Sequence, residues 1–248
     1  METLKVENLS KTFGGLKVLE GLCFTMEAGE CVAIIGPNGA GKTTLLNLLS
    51  GELQATGGRI YLFGQEVSRM SVHHRVRLGL GHSFQLNSLF SGFTVLENVL
   101  LALKSPQSHY FQMLRPMTTY DLLFAKAEEL LKSLSLWEEE KVLVENLSYG
   151  KQRQLEIALG LALEPRLLLL DEPSAGLSSV ESAELANMLY KLTENTSIVF
   201  CAHDMELVSR LAHRVIVLYY GRIIAEGGPR EIQNNPKVKE IYLGVEKM

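Results

Sequence analysis

A single segment, GPNGAGKT at residues 36–43, constrains the fold more than any other feature of the chain. A continuously apolar run, CVAII, precedes it, and a run whose leucines recur at helical spacing follows it as far as Gly51. An unbroken apolar run is typical of a strand that is covered on both faces of a sheet. The order strand, glycine loop and helix therefore predicts one half of a βαβ unit.

The segment fits the pattern G-x-x-x-x-G-K-[ST] in full, and this pattern predicts a phosphate site. Glycines let backbone N–H groups surround phosphate oxygens at a helix N-terminus, whose dipole favours anions. Lys42 would then reach the terminal phosphates, and Thr43 would offer its hydroxyl to Mg²⁺. The plain alternative is a turn that only leads into a core helix.

Residues 166–173, RLLLLDEP, supply a second strand for the site. Four leucines predict a buried parallel strand, and its carboxyl end presents Asp171 and Glu172, at the edge where open α/β sheets bind ligands. Asp171 would hold Mg²⁺ through water, and Glu172 would polarise a water for attack on the γ-phosphate. Such a pair alone is more typical of a solvated strand end, but residues 36–43 favour the catalytic interpretation.

Composition and charge narrow the class of protein. The chain has 248 residues, 46% hydrophobic and 21% charged, which is typical of a folded globular protein. The net charge of -4 does not favour nucleic-acid binding by the protein as a whole, and binding through a local basic patch is left as an alternative. We expect Cys23, Cys31 and Cys201 to be buried and reduced. The first residues lack the basic and apolar regions of a secretory signal, so we expect none, and no apolar run approaches the roughly 20 residues of a membrane-spanning helix.

Strands are predicted near both ends of the chain, with a mostly helical block between them. Residues 104–118 contain two prolines that break the helical pattern, so we expect a loop or an irregular hairpin there. Ser178 and Glu181 have the spacing of a capping box, which predicts a helix from there to about residue 191. The remaining predicted helices are 71–77, a basic and polar one, 93–102 and 119–136, and the remaining strands are two within 1–27, then 57–67, 196–204 and 213–227.

The order of several motifs resembles that of the nucleotide-binding subunit of ATP-binding cassette (ABC) transporters, over nearly the whole chain. These motifs are GPNGAGKTT, Phe84-Gln85, LSYGKQRQLEIA, LLLLDEP, SAGLSS and Ala202-His203-Asp204. Within that family, the chain is most similar to the ATPases of branched-chain amino acid importers and their urea-importer relatives. The stretches that carry this similarity are FGGLKVLEGL, FQLNSLFSGFTVLENVLLA, the tyrosine of LSYGK, HDMELV and EIQNNPKVKEIYLG.

The resemblance implies an α/β fold for a single ATPase domain over residues 1–248. A P-loop NTPase (RecA-like) core, with a mostly parallel sheet and an N-terminal antiparallel β subdomain, would comprise residues 1–85 and 163–248. A helical subdomain inserted at residues 86–162 would face the membrane partner.

The resemblance also implies roles for single residues. Phe13 matches the aromatic residue that stacks on adenine, although a core position on an early strand is a plain alternative. Gln85 matches the glutamine that reaches Mg²⁺ and the attacking water, and with Thr43 and Asp171 it completes the expected metal site. His203 matches the histidine that hydrogen-bonds the γ-phosphate and orients Glu172. The expected ATP-binding loop comprises Gly36, Pro37, Asn38, Gly39, Ala40, Gly41, Lys42, Thr43 and Thr44.

Residues 147–151, LSYGK, match the signature segment of the family. The resemblance implies that Ser148 and Gly150 grip the γ-phosphate of an ATP molecule held by a second subunit. Tyr149 stands where the family usually has glycine, as it also does in the branched-chain amino acid group, and Lys151 stands where glutamine is usual. Ser178, in the loop that crosses the dimer interface, stands where many relatives have aspartate.

The function implied by this resemblance is an ATPase that powers import of a small polar solute, with branched-chain amino acids favoured. Mg²⁺ and ATP would lie between Lys42 of one subunit and Ser148 of the other, so that ATP closes the dimer and hydrolysis releases it. The expected partners are transmembrane permease subunits, a second ATPase subunit, identical or a sibling, and indirectly an extracellular or periplasmic solute-binding protein. The expected location is the cytoplasmic face of the membrane, with no nucleic-acid partner.

Other functions stay open as alternatives. They are the ATPase of a urea importer, the ATPase of a lipopolysaccharide exporter and a soluble ABC ATPase that acts outside transport. A small-molecule kinase or GTPase would account for residues 36–43 but not for LSYGK or His203.

Overall fold

The structure is a computed structural model and describes residues 2–83, 89–104, 121–193 and 196–243. The N-terminal part forms an antiparallel sheet of four strands, β1 (Glu2–Phe13), β2 (Leu16–Glu27), β4 (Gly57–Leu62) and β5 (Gln65–Glu66), in the order β2-β1-β4-β5. Phe63 and Gly64 have φ angles of 53° and 81° and turn the chain back between β4 and β5. Residues 57–67 are therefore a hairpin and not the single strand that the pattern predicts.

A second sheet of six strands carries the carboxyl ends that matter for the site. Its strands are β3 (Cys31–Ile35), β6 (Leu80–Ser83), β7 (Leu167–Asp171), β8 (Ser197–Cys201), β9 (Arg214–Tyr219) and β10 (Arg222–Gly227), in the order β10-β9-β3-β8-β7-β6. All neighbouring pairs are parallel except β9 and β10. Since β8 lies between β3 and β7, the loops that follow these three strands emerge side by side.

The alternation of side chains along β3 divides the core into two. Cys31, Ala33 and Ile35 pack into a cluster with the central and C-terminal helices, whereas Val32 and Ile34 pack into a second cluster with the N-terminal sheet. Every residue of β3, β7 and β8 is buried. These strands therefore have hydrophobic cover on both faces, which agrees with their unbroken apolar sequence.

Nine helices of the described residues flank the sheets. α1 (Lys42–Ser50) follows β3, and α2 (Val72–Arg77) leads to β6. Between β6 and β7 lie α3 (Val95–Lys104), α4 (Asp121–Ser133) and α5 (Tyr149–Leu161), with short 3-10 turns at Trp137–Glu139 and Val144–Asn146. The C-terminal part contains α6 (Ser179–Leu192), α7 (Met205–Leu211), α8 (Pro229–Asn234) and α9 (Pro236–Leu243). In the part of the chain that the structure describes, no helix combines the length and apolarity that crossing a membrane requires.

The capping box of Ser178 and Glu181 is present at the start of α6, as predicted. The predicted loop or hairpin at residues 104–118 lies outside the described residues beyond Lys104, where α3 ends. Cys31 and Cys201 are buried, but the prediction for Cys23 is wrong, because this residue lies on the exposed face of β2. All three thiols are free.

Candidate nucleotide site

The glycine loop, residues 36–43, leaves β3 at the centre of the parallel strands and enters α1. A Cβ atom on Gly36 would lie 2.2 Å from the carbonyl oxygen of Leu218, so no larger residue fits without a shift of the backbone. Gly41 precedes α1 with a φ of 104°, and a Cβ atom there would lie 2.5 Å from Cδ2 of Leu19. The two glycines thus allow the loop to pack closely against β9 and β2 and to turn directly into the helix.

The Lys42 side chain lies inside this loop and hydrogen-bonds to the backbone at the start of the loop. Its Nζ atom donates hydrogen bonds to the carbonyl oxygens of Gly36 at 2.8 Å and Pro37 at 3.2 Å, and the residue is only 6% exposed. Burial lowers the pKa of the Lys42 ammonium, and the carboxylates of Asp171 and Glu172 act in the opposite direction. The loop therefore holds a desolvated cation that can exchange its carbonyl partners for phosphate oxygens.

Asp171 ends β7 beside the start of α1. It is 5% exposed, and burial raises the pKa of its carboxyl group, whereas a hydrogen bond with the Thr43 side chain lowers it. Among the described residues, no group hydrogen-bonds the buried Oδ1 atom. A buried carboxylate oxygen without a partner, next to a threonine hydroxyl, fits the oxygen ligands that Mg²⁺ takes in nucleotide sites. The residues present are therefore compatible with a Mg²⁺ ion held by Thr43 and Asp171.

Glu172 and His203 meet at the ends of adjacent strands. Their side chains are 2.8 Å apart between Oε1 of Glu172 and Nε2 of His203, and both are partly exposed, at 35% and 40%. The backbone N–H of Glu172 donates to the carbonyl oxygen of Cys201 at 3.0 Å, and its φ angle is 47°, in the left-handed region. The left-handed backbone conformation of Glu172 ends the extended strand, and it leaves the carboxylate within hydrogen-bond distance of the His203 imidazole.

The remaining predicted site residues lie on other elements or outside the described residues. Phe13 ends β1 and is 44% exposed, so the alternative of a core position is wrong, and the Nζ atom of Lys11 lies 4.7 Å from the centre of its ring. Thr44 lies in the first turn of α1. Gln85 lies outside the described residues.

The signature segment, residues 147–151, forms the start of α5. Ser148 is the N-cap residue, and its exposed hydroxyl accepts a hydrogen bond from the backbone N–H of Lys151 at 3.4 Å. Gly150 is buried against Glu181, whose Oε1 atom would lie 2.6 Å from an added Cβ. Lys151 forms an ion pair with Glu139. Its positive charge at a helix N-terminus is thereby compensated within the subunit.

Sequence reasoning gave no role to Arg153, which the structure brings to the same sheet edge. Its Nη2 atom donates to the carbonyl oxygen of Glu172 at 3.2 Å, and its Nη1 atom pairs with Glu156 at 2.5 Å. The i,i+3 spacing of Arg153 and Glu156 on a predicted helix is a signal for their pairing, but no local pattern indicates the contact with Glu172.

A glycine loop after an inner parallel strand, with a buried aspartate and a glutamate at a neighbouring strand end, defines the class of P-loop nucleoside triphosphatases. Comparison with known proteins narrows this class. The family profile described as ABC transporter matches residues 19–175, and the profile described as branched-chain amino acid ATP-binding cassette transporter matches residues 222–247. The chain belongs to the ABC transporter family and is an ATP-binding, ATP-hydrolysing subunit of that family.

Similar curated proteins cover nearly the whole chain. They include the high-affinity branched-chain amino acid transport ATP-binding proteins BraF of Pseudomonas aeruginosa, 37% identical, and LivG of Escherichia coli, 38% identical, each covering 97% of both chains. The lipopolysaccharide export system ATP-binding protein LptB of Haemophilus influenzae is 31% identical over 98% of both chains.

Similar solved structures share the fold. The ADP conformation of MJ1267, an ATP-binding cassette of an ABC transporter, has a TM-score of 0.88 at 29% identity, covering 98% of this chain and 99% of that one. A dimeric structure of the cassette MJ0796 bound to ADP and Pi has a TM-score of 0.77 at 26% identity, covering 92% of this chain and 99% of that one.

Proposed function

We propose that this subunit powers the import of branched-chain amino acids by the closure of an ATP-bound dimer. The observation that carries the hydrolytic part of the proposal is the contact of 2.8 Å between Glu172 and His203 at the sheet edge that also carries the glycine loop, and the match of residues 222–247 to the branched-chain amino acid profile carries the choice of solute. The dimeric form of the similar cassette MJ0796 supports the pairing of two such subunits.

In this proposal, different residues of the site bind different parts of the nucleotide. Backbone N–H groups of residues 36–41 and the ammonium of Lys42 bind the phosphates, while Phe13 stacks on adenine. Thr43 and Asp171 would hold Mg²⁺, which supplies charge neutralisation at the phosphates when it is bound. Ser148 and Gly150 contact the γ-phosphate of the nucleotide held by the second subunit.

The chemical step follows from the position of Glu172. Its carboxylate accepts a hydrogen bond from a water molecule, His203 keeps the carboxylate directed at that water, and Lys42 stabilises the charge on the γ-phosphoryl oxygens. As the water oxygen bonds to the γ-phosphorus, Glu172 takes a proton from that water, and the bond from the phosphorus to the bridging oxygen breaks. The products are ADP and inorganic phosphate, and Glu172 then releases its proton to solvent. Because the γ-phosphate contacts of Ser148 exist only in the closed dimer, hydrolysis favours opening.

The first test is Glu172→Gln. We expect ATP turnover to fall by at least about 100-fold, since a general base is lost, while ATP binding is kept. With Mg²⁺ and ATP present, the variant is expected to run as a dimer on a sizing column and as a monomer without nucleotide. Glu206→Gln, a change on the exposed face of α7, is the matched control and should behave as wild type. Turnover by Glu172→Gln at the wild-type rate would contradict the mechanism.

The solute and the partners need a separate test. The match of residues 222–247 to the branched-chain amino acid profile, and the higher identity to BraF and LivG than to LptB, support import over lipid export. Reconstitution in proteoliposomes with permease subunits and a solute-binding protein of the branched-chain amino acid class is expected to give ATP-dependent uptake of radiolabelled leucine. ATP turnover stimulated only by lipopolysaccharide-export permease subunits would overturn this choice. The proposal places the subunit peripherally, at the cytoplasmic face of the membrane.

A further inference from the structure

Arg153 links two parts of the site through one side chain. It lies on α5, five residues after Ser148, and its side chain is 11% exposed. Besides its bond to the carbonyl oxygen of Glu172, Nη2 lies 3.5 Å from the carbonyl oxygen of Asp171. The pair with Glu156, itself 13% exposed, holds the guanidinium in this direction.

Arg153 contacts the backbone next to the Glu172 Cα atom, where the backbone conformation sets the direction of the Glu172 side chain. The carbonyl groups of Asp171 and Glu172 belong to the peptide planes on either side of the Glu172 Cα atom, which has a φ of 47°. Such a conformation is unfavourable for a residue with a side chain and persists only where the surroundings fix it. Two contacts fix this backbone conformation. They are the hydrogen bond from Arg153 and the hydrogen bond from the Glu172 N–H to the carbonyl oxygen of Cys201.

The other end of the connection is the signature segment. Nε2 of Gln152 donates to the carbonyl oxygens of Val144 and Leu147, both at 3.2 Å, and this ties the residues that precede Ser148 to α5. Since Ser148 caps the helix that carries Arg153, a shift of the signature segment moves the guanidinium with it. Ser148 and Arg153 are five positions apart at the start of one helix, a separation of about 7.5 Å along its axis.

We propose that Arg153 is a positioning residue that couples the signature segment to Glu172 of the same subunit. The inference rests on the proposed function, in which the signature segment contacts the nucleotide of the second subunit. Occupation of one nucleotide site then improves the position of the catalytic carboxylate at the other. Such a coupling between two sites appears as cooperativity in ATP.

The test compares Arg153→Met, Arg153→Lys and wild type in ATP turnover over a wide range of ATP concentrations. For Arg153→Met we expect kcat to fall by about 10-fold to 100-fold, because Glu172 is misplaced, with KM changed by less than about 3-fold. The Hill coefficient is expected to fall from above 1 to about 1. Arg153→Lys can donate to one carbonyl oxygen and should recover part of kcat. Arg210→Met, at an exposed pair on α7, is the matched control.

Unchanged kcat and Hill coefficient in Arg153→Met, or a wild-type Hill coefficient of about 1, would overturn the coupling. The double variant Arg153→Met with Glu172→Gln separates this from the proposed function. We expect it still to form the ATP-dependent dimer, because neither substitution removes a phosphate contact of the glycine loop. Failure of Glu172→Gln alone to form that dimer contradicts the proposed function, whereas failure of only the double variant would show that Arg153 supports folding or dimer contacts instead.

Discussion

A fully buried arginine lies behind the helix that follows the glycine loop. Arg75 on α2 is 0% exposed, and its Nη1 atom donates to the carbonyl oxygens of Leu48 at 2.6 Å and Leu49 at 2.8 Å. Its Nε atom donates to the carbonyl oxygen of Met70 at 3.2 Å. Burial lowers the pKa of this guanidinium to about 10, which leaves it charged at neutral pH. The charge lies at the C-terminal end of α1, where the helix dipole favours a cation.

Arg75→Met should therefore destabilise the protein. The carbonyl groups of Leu48 and Leu49 would lose their Arg75 donor in a buried site, and we expect the free energy of unfolding to fall by about 3 kcal/mol. Urea denaturation followed by circular dichroism measures this change. Arg210→Met is the control, because Arg210 is 47% exposed and pairs only with a residue of its own helix in the described part of the chain. A loss equal to that of the control would show that the buried hydrogen bonds contribute nothing.

The residues of motifs could be predicted from sequence, whereas those defined by tertiary contacts could not. Lys42 and Asp171 lie in local sequence patterns that indicate their chemistry without knowledge of the fold. Arg75 belongs to a run that predicts a basic, polar helix, and the helix is present, but its burial depends on carbonyl groups more than 20 residues away in sequence. Arg153 could not be predicted for the same reason, because the carbonyl groups that accept its hydrogen bonds lie on a different element, at the end of β7.

At the scale of elements, the turn between β9 and β10 supports the glycine loop. The pattern predicts a single strand over residues 213–227, but Tyr220 and Gly221 have φ angles of 43° and 73° and reverse the chain. The N–H of Gly221 donates to the carbonyl oxygen of Ala40 at 3.1 Å, and its own carbonyl oxygen accepts from Glu20 at 2.9 Å. An apolar run does not reveal such a turn, because both arms of the hairpin are apolar.

Gly221→Ala should damage both the fold and nucleotide binding. A Cβ atom there would lie 2.2 Å from the carbonyl oxygen of Val18, so β2 or the turn must move, and the bond to Ala40 moves with it. We expect the free energy of unfolding to fall by about 3 kcal/mol, from strain of the backbone and from overlap together. The apparent Kd for ATP, measured by titration calorimetry, is expected to rise.

Gly64→Ala separates these two causes. Gly64 also has a positive φ, of 81°, but no atom lies within 4 Å of an added Cβ. It should lose only the roughly 1 kcal/mol of the left-handed conformation, with ATP binding unchanged. Equal losses in the two variants would mean that the contact with Val18 is unimportant.

At the scale of the whole molecule, the order of strands in the parallel sheet could not be predicted from periodicity. β3, from the first part of the chain, lies between β8 and β9 from the last part. Apolar patterns show that these strands are buried, but only contacts between distant segments decide which of them are neighbours. The candidate site depends on this order, since it brings the glycine loop, His203 and Glu172 to one edge.

A network of charges at the opposite ends of these strands ties the two sheets together. Arg214 begins β9 and donates to Glu30, just before β3, from Nε at 2.6 Å and from Nη2 at 2.9 Å. The same guanidinium donates to the carbonyl oxygen of Thr25 on β2 at 2.5 Å and pairs with Glu226 on β10. Arg214 and Glu30 are 22% and 18% exposed, so water only partly screens the interaction.

This network makes the stability of the protein depend on pH in a defined direction. Burial alone raises the pKa of Glu30, but the hydrogen bonds from Arg214 and from the backbone of Glu27 outweigh it, and the net pKa is lowered. A carboxyl group whose folded pKa is depressed stabilises the fold at pH values above its unfolded pKa. That stabilisation is lost as pH falls through the folded pKa.

Glu30→Gln should accordingly lower the free energy of unfolding by about 1 kcal/mol at pH 7, because a charge-assisted hydrogen bond becomes a neutral one. The difference from wild type should begin to shrink as pH falls below the ordinary pKa of a glutamate, and it should be lost only once pH falls below the depressed folded pKa of Glu30, where the wild-type carboxyl group is also neutral. Urea denaturation at a series of pH values from neutral to acidic measures both curves. Glu206→Gln, at an exposed pair, should show a smaller difference at neutral pH. A difference for Glu30→Gln that stays constant with pH would assign its effect to packing and not to the charge on Glu30.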